Sequence, residues 1–353
     1  MSSPHPSNSE VRIGILGSGW MGLVHAECYQ RIKGVKVVGV FSRNQERAEA
    51  AAKICGARAV LDVSALLDDP KVDAIDVCLP SANHEEFVVK VLERGKHVFC
   101  ETPFALKFTE AETMLKAANN TDRLFMVGLL ERSIAQYEYV HQAAAAGHLG
   151  KVRSITAYRL GSYLLSEESR KHYADPALEL MTPDFDFVRW LIGPPATVSA
   201  TASWSGLACE AGGRKEIVPG EISAILTYDS GVHAAVIASG IMPKGFPFSI
   251  GFRVLFEKGA LEQKTVFEGA GPPKNTFQLY SDDGVQTLTI EEHDPYEHEL
   301  RYFVEAIRGE ADSSFLAAHH AGEALRLSLA TLQSAKENQV IRLAASPPMG
   351  KQI

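Results

Sequence analysis

The run Val11-Arg12-Ile13-Gly14-Ile15-Leu16 leads directly into Gly17-Ser18-Gly19-Trp20-Met21-Gly22, and helical spacing begins at once with Leu23-Val24-His25-Ala26. A buried β-strand, a G-x-G-x-x-G turn and a helix in that order constrain the chain more than any other stretch, because each glycine has its own task. Gly17 permits the tight turn, Gly19 lets backbone N–H groups approach a pyrophosphate, and Gly22 lets helix and strand pack closely. Phosphates held there face the positive end of the helix. Trp20 and Met21 lie inside the same turn and are cofactor-site candidates with the three glycines. Glycines also occur in ordinary βα turns; the flanking strand and helix, in the right order, favour a dinucleotide site.

The end of the second strand selects the dinucleotide. In a NAD site a carboxylate about 20 residues beyond the glycines takes the ribose 2′-OH. Here Val35–Phe41 is followed by Ser42-Arg43-Asn44, with no acid. Ser42 can hydrogen-bond a 2′-phosphate, Arg43 can pair with it and stack on adenine, and Arg47 adds charge one helical turn later. The pattern favours NADP(H) over NAD(H); the competing reading makes Arg43 a solvated surface residue.

At 353 residues the chain has room for two domains, each with its own core. Strand and helix alternate from Val11 to about Gly128, which predicts a doubly wound parallel sheet. Beyond residue 130 the texture changes to long period-two runs, such as Val152 to Leu160, Glu221 to Tyr228 and Phe252 to Glu257, the signature of an antiparallel sheet with one covered face. The predicted organisation is a loose Ser- and Pro-rich tail over 1–10, an NAD(P)-binding Rossmann domain over 11–130, and an α+β domain over 131–353 built on a large, mostly antiparallel open sheet. A net charge of -8 with no Lys/Arg-rich block speaks against a nucleic-acid partner. Five scattered cysteines with no C-x-x-C pair suggest neither a disulfide framework nor a metal site. With no apolar run of membrane length and no signal-peptide pattern, the expected location is the cytoplasm.

Further motifs carry a resemblance. Leu79-Pro80-Ser81-Ala82-Asn83-His84, then Gly95-Lys96-His97-Val98-Phe99-Cys100-Glu101-Thr102-Pro103, is similar to the glucose–fructose oxidoreductase / inositol dehydrogenase / MocA (Gfo/Idh/MocA) family, with its P-x-x-x-H turn, G-K-H-V strand and E-K-P tripeptide. The match runs on through Gly147-His148-Leu149-Gly150-Lys151-Val152, Asp186-Phe187-Val188-Arg189-Trp190-Leu191-Ile192-Gly193 and Asp294-Pro295-Tyr296, with Glu299 and Phe303 after it. The resemblance implies an oxidoreductase passing hydride between a nicotinamide and the CH–OH/C=O carbon of a sugar-like or other small hydroxylated or carbonyl substrate. It implies a homodimer or homotetramer formed through the C-terminal sheet, and it adds Leu79, Pro80, His84, Glu101, Thr102 and Pro103 to the cofactor site. His84 is expected under the nicotinamide side or, alternatively, as a cap on the helix from Glu85.

The same resemblance locates two departures. The family lysine of E-K-P is Thr102 here, and the family histidine of D-x-G-x-H-x-x-D falls on Pro183, with Glu179 on the first acid and Asp186 on the last. Thr102 keeps a hydrogen bond but supplies no positive charge beside a developing alkoxide. Pro183 cannot move a proton, a loss worth about 10²–10⁴-fold without a substitute. Candidate replacements are Asp186, on the same helical face as Pro183, Glu179, and His172; Tyr163 and Tyr173 lie in the same segment, and Asp184 reads as a charge-complementing acid at a helix N-terminus. Asp186 has the competing role of pairing with Arg189. Glu131-Arg132 sits at a hinge, where Arg132 either holds substrate or bridges domains. Besides an atypical oxidoreductase, two readings stay open: a catalytically silent NAD(P)-binding sensor, and a lyase or glycosidase that uses the nicotinamide transiently.

Overall fold

A computed structural model describes residues 10–343 except 211, 212, 214 and 270. The predicted tail lies outside the described residues apart from Glu10, which is exposed coil. The chain runs β1 (Val11–Leu16), α1 (Trp20–Arg31), β2 (Val35–Phe41), α2 (Gln45–Ile54), β3 (Arg58–Val60), α3 (Ser64–Leu67), β4 (Ala74–Val77), α4 (His84–Glu93), β5 (His97–Cys100), α5 (Phe108–Asn119) and β6 (Phe125–Val127). It continues with α6 (Ala135–Ala146), β7 (Val152–Leu160), α7 (Glu167–His172), α8 (Pro176–Glu179), α9 (Met181–Ile192), β8 (Thr197–Cys209), β9 (Glu216–Thr227), β10 (His233–Ser239), β11 (Phe248–Phe256), β12 (Ala260–Phe267), β13 (Lys274–Ser281) and β14 (Gly284–Thr287). Helices α10 (Pro295–Ile307) and α11 (Ala318–Glu337) and the short β15 (Ile341–Arg342) close it.

β1 to β6 form one parallel sheet in the order β3-β2-β1-β4-β5-β6. That is the doubly wound order, whose switch point falls between β1 and β4. The strands carry near-continuous apolar runs because helices cover both faces: β4 and β5 are buried along their whole length. Local chemistry sets the helix starts. Asn44 accepts from the Arg47 N–H to cap α2, and Glu110 reaches back to the N–H groups of Leu106 and Lys107 to fix the entry of α5. Ser64 is the first residue of α3, and Asp62 Oδ1 accepts its N–H at 2.9 Å.

The second sheet has nine strands in the order β14-β13-β12-β11-β7-β10-β9-β8-β15, antiparallel except where β10 runs parallel to β7. One face packs under α8 and α9. Its core includes four rings, with Phe252 lying 4.7 Å from Tyr137, 5.0 Å from Phe187 and 6.4 Å from Phe277. The other face leaves Ile225 and Leu255 exposed, because their strand neighbours Ala224, Leu226, Val254 and Phe256 take the core side. Among the described residues no helix is long and apolar enough to cross a membrane.

The division of the chain differs from the boundary read at residue 130. One compact unit takes the residues up to Ser133 together with His293–Gly322; the other takes Ile134–Glu292 and the segment from Glu323. The cause is α10. Its apolar side, Leu300, Phe303, Val304 and Ile307, is buried, and the Phe303 ring stands 5.5 Å from Phe99 of β5. Arg31 of α1 pairs with both Asp294 and Glu297. A change in sequence texture marks where the chain leaves the first unit and is blind to its return.

Because Phe252 is 1% exposed among three other rings, Phe252→Ala is expected to destabilise the protein by about 3–5 kcal/mol. Chemical denaturation read by far-UV circular dichroism checks this; a loss under about 1 kcal/mol would show that the ring cluster is not the core of the second unit.

Candidate functional site

The glycine turn between β1 and α1 has the geometry its spacing demands. Gly17 has φ +123, and a Cβ there would stand 2.3 Å from the Cys78 carbonyl oxygen. A Cβ on Gly22 would stand 2.3 Å from the Gly17 carbonyl oxygen. Both positions are closed to any side chain. Gly19 is different: a Cβ there meets nothing within 4 Å. It is the N-cap residue of α1, and no side chain caps that helix start. Open space beside uncapped N–H groups at a helix N-terminus fits the pyrophosphate of a dinucleotide. Trp20 is 68% exposed and meets Tyr296 edge-on at 6.2 Å; Met21 is partly exposed.

At the end of β2 the Ser18 hydroxyl donates to Ser42 Oγ at 2.8 Å, which ties the glycine turn to the residue after that strand. The Asn44 N–H also donates to Ser42 Oγ at 3.3 Å. Arg43 and Arg47 are exposed on this rim.

Leu79 and Pro80 follow β4, and His84 opens α4. The His84 ring is 1% exposed, with Nε2 2.7 Å from the Leu79 carbonyl and Nδ1 3.2 Å from that of Phe104. Burial lowers its pKa against the pull of these carbonyls. A neutral ring donates to one of them only, and the shorter contact favours Leu79. His84 therefore orders the loop backbone from within instead of presenting its ring to a ligand. After β5, Glu101 Oε2 accepts the Thr102 N–H at 3.1 Å, the Thr102–Pro103 peptide is cis, and Pro103 is buried. Glu131 and Arg132 are buried as well, and Arg132 Nη1 donates to the Phe315 carbonyl at 2.6 Å within the first unit.

The first unit also holds residues that motif reading passed over. His25 of α1 is fully buried, with Nδ1 2.7 Å from Asp76 Oδ2 and Nε2 3.0 Å from Glu101 Oε1. Glu299 of α10 is buried beside them. A signal was present: Asp76 interrupts the apolar strand Ala74-Ile75-Asp76-Val77, and Glu299 precedes Leu300 on the buried side of its helix. An acid inside an apolar run implies a buried partner.

In the second unit the proton-transfer candidates separate. Glu179 ends α8; its Oε1 accepts the Ala174 N–H at 2.7 Å, and burial pushes its carboxyl up to about 7. Asp175 caps the same helix through the N–H groups of Ala177 and Leu178, and burial raises it to about 6. Tyr163 donates its hydroxyl to the Ala174 carbonyl at 3.1 Å, so Tyr163, Asp175 and Glu179 meet around Ala174. Pro183 and Asp184 lie in the first turn of α9, and Asp184 forms a buried pair with Arg159 at 3.2 Å. Asp186 is buried farther along α9, while Arg189 bridges to Glu323 at 3.2 Å. His172 is exposed on α7 and engages Glu168 one turn away at 3.0 Å. Tyr173, also exposed, lies edge-on to Tyr163 at 5.7 Å.

The two glycines make a paired expectation. Gly19→Ala should leave the thermal midpoint within about 2 °C yet weaken dinucleotide binding about tenfold by blocking close approach. Gly17→Ala should destabilise the fold by about 1–3 kcal/mol, through its backbone conformation and the Cys78 carbonyl. Thermal denaturation with calorimetric titration separates them; a Gly19→Ala protein that binds like wild type would contradict the assignment.

Comparison with known proteins agrees with this geometry. Residues 11–129 match the model of the GFO/IDH/MocA oxidoreductase family, NAD-binding Rossmann fold, and residues 137–262 match the GFO/IDH/MocA C-terminal domain. The scyllo-inositol 2-dehydrogenase (NAD(+)) of Bacillus subtilis (strain 168) is 26% identical over 85% of this chain and 86% of its own length. The 4-carboxy-2-hydroxymuconate-6-semialdehyde dehydrogenase of a Sphingobium species is 34% identical, but over 39% of this chain and 44% of that protein. A crystal structure of a putative myo-inositol dehydrogenase from Sinorhizobium meliloti 1021 superposes with a TM-score of 0.78 at 25% identity, covering 95% of this chain and all of that one. With both family models matched in order and a glycine cradle that fits a nicotinamide dinucleotide, this chain belongs to the Gfo/Idh/MocA family of NAD(P)-dependent oxidoreductases.

Proposed function

We propose that the protein is an NADP(H)-dependent oxidoreductase that acts on the CH–OH/C=O group of a sugar-like or other small hydroxylated or carbonyl substrate, with Glu179 in place of the missing histidine as general acid/base. The observation that carries the proton-transfer part is the Glu179 carboxyl, set with Asp175 and Tyr163 around Ala174 and accepting the Ala174 N–H at 2.7 Å, where burial pushes it up to about 7. A group titrating near working pH exchanges protons in both directions at small energetic cost. Pro183 has no proton to exchange, His172 is spent on a surface contact, and Asp184 is held by Arg159. The inositol dehydrogenase relatives support a polyol or sugar as substrate class. Asp186 is the alternative acid.

The NADP(H) preference is supported by the rim at β2: a Ser18–Ser42 hydroxyl pair, no carboxylate, and exposed Arg43 and Arg47. A guanidinium pairs with a 2′-phosphate and adds nothing to a 2′-OH of comparable strength. Five cysteines without a disulfide among them support a reducing cytoplasm. Exposed Ile225 and Leu255 on the open face of the second sheet support self-association through that face.

Arg43→Ala should weaken NADP+ binding about tenfold or more while changing NAD+ binding less than about twofold. Calorimetric titration with each dinucleotide measures both; equal losses would remove the basis for the preference. Turnover is tested with inositols, aldoses and ketoses by the absorbance of reduced nicotinamide. Oxidation needs the carboxylate, so its kcat should rise with pH through about 7, and reduction, which needs the acid, should fall over the same range. Glu179→Gln should lower kcat about 10²–10⁴-fold and erase both limbs, with the cofactor KM unchanged. An Asp186→Asn protein that shows those effects while Glu179→Gln does not would move the role to Asp186. Tight dinucleotide binding with no turnover across the panel would select the cofactor-sensing reading instead.

A further inference from the structure

Beneath the glycine turn, within the first unit, lies a cluster of buried ionisable groups to which the reaction assigns no task. His25 stands three residues after Gly22, with no exposed surface. Its Nδ1 faces Asp76 Oδ2 at 2.7 Å and Cys78 Sγ at 3.3 Å, and the Cys78 thiol donates to Asp76 Oδ1 at 3.4 Å. Its Nε2 faces Glu101 Oε1 at 3.0 Å, off the axis of a good hydrogen bond, so that contact is one of charge with charge. The Glu299 carboxyl approaches both, its ligand atom lying within 4.8 Å of theirs. Cys28 faces the imidazole from its own helix, where Tyr29 lies near Asp76, Phe99 from β5 with ring centroids 5.8 Å apart, and Tyr296 and Glu299 from α10, with Glu131 near Glu299.

Burial penalises charge on every member, so the proton count is fixed by the contacts. Burial, then the negative field of Glu101, raises the Glu299 carboxyl, which favours its neutral form. Burial and Asp76 raise Cys78 and keep it a thiol. For His25 burial pulls the pKa down, the contact with Asp76 pulls it up, and the net shift is upward. The imidazole thus stands between two carboxyls, Asp76 against Nδ1 at 2.7 Å and Glu101 against Nε2 at 3.0 Å, a geometry that favours the doubly protonated ring.

We propose that His25 is a positioning residue of the dinucleotide site: doubly protonated, it ties the glycine helix to the Glu101-Thr102-Pro103 turn, and loss of its second proton loosens that tie and weakens cofactor binding. The consequence follows from donor counting. A neutral imidazole has one N–H. Asp76, at the shorter distance, keeps the Nδ1 proton, and the Nε2 lone pair is then turned on the Glu101 carboxylate. The other oxygen of Glu101 holds the Thr102 N–H at 3.1 Å, so displacing that carboxylate displaces the turn. Helix α1, which carries His25, also carries the uncapped N–H groups at Gly19. The inference rests on the reading that this unit binds a nicotinamide dinucleotide.

The test uses the full-length protein, titrated calorimetrically with NADP+ and, because it lacks the titrating 2′-phosphate, with NAD+, at about pH 6.5 and about pH 9. Asp76→Asn removes the charge that sustains the proton. It should bind within about threefold of wild type at the lower pH and at least about tenfold more weakly than wild type at the higher. His25→Gln, which cannot carry the charge, should bind weakly at both. An Asp76→Asn protein whose affinity tracks wild type at both pH values, or a His25→Gln protein within about twofold of wild type, overturns the proposal. Should either variant fail to fold, ¹⁵N NMR of histidine-labelled wild type reads the ring directly: two protonated nitrogens at about pH 7.5 are expected, and a neutral ring overturns the proposal without any substitution. Wild type that binds neither dinucleotide would overturn the cofactor reading and this inference with it, whereas pH-independent binding by Asp76→Asn overturns the inference alone.

Discussion

The first unit depends on a backbone approach so close that no side chain can enter it. The Cys78 carbonyl lies against Gly17, and the Gly17 carbonyl lies against Gly22, each 2.3 Å from where a Cβ would stand. These two contacts bring the end of β1, the start of α1 and the end of β4 together at the switch point of the sheet. The N-terminus of α1 then opens beside Gly19, where space and unsatisfied N–H groups coincide. The candidate dinucleotide residues are arranged around that opening: the Ser18–Ser42 contact on one side, the Leu79-Pro80 loop held by His84, and the Glu101 turn with His25 underneath.

This arrangement separates binding from chemistry. The parts proposed to hold a cofactor are backbone geometry and a buried ionisable cluster inside one unit. The group expected to move a proton stands in the other unit, where Glu179, Asp175 and Tyr163 meet around Ala174. Burial there raises two carboxyls towards neutrality, to about 7 and about 6. In the proposed exchange of a histidine for Glu179 the pKa stays near the working range through a different physical route: desolvation lifts an acid, where a histidine needs no lift. In the same proposal, with threonine and no cation at position 102, a developing alkoxide relies more on hydrogen bonds, which are weaker.

Much of this was legible in the chain. Strand-helix alternation to Gly128 and period-two runs after it foretold both sheets, and β7 falls on Val152–Leu160 as read. The glycine turn was legible because its spacing is a steric requirement. Three things were hidden, each for a physical reason. The return of α10 to the first unit depends on Phe303 meeting Phe99 and on Arg31 pairing with Asp294 and Glu297, contacts between residues about 200 or more apart in sequence that no local pattern carries. Strands β13 and β15 carry little local signal, because Lys274–Ser281 lies near the sheet margin with little burial and Ile341–Arg342 is two residues long. The candidate acids could be named but not ranked: His172 and Glu179 look equally able to exchange a proton until one proves to be an exposed surface pair and the other a carboxyl pushed up by burial.

A structure of the ternary complex with cofactor and a polyol substrate bears most directly on the claim that binding is retained while proton transfer has been rebuilt. The dinucleotide pyrophosphate should lie against Gly19, and the Glu179 carboxyl should stand within hydrogen-bond reach, about 3.2 Å or less, of the substrate hydroxyl that faces the nicotinamide. A complex in which the pyrophosphate sits as expected but Glu179 stays bound to the Ala174 N–H, remote from the reacting oxygen, would contradict the claim.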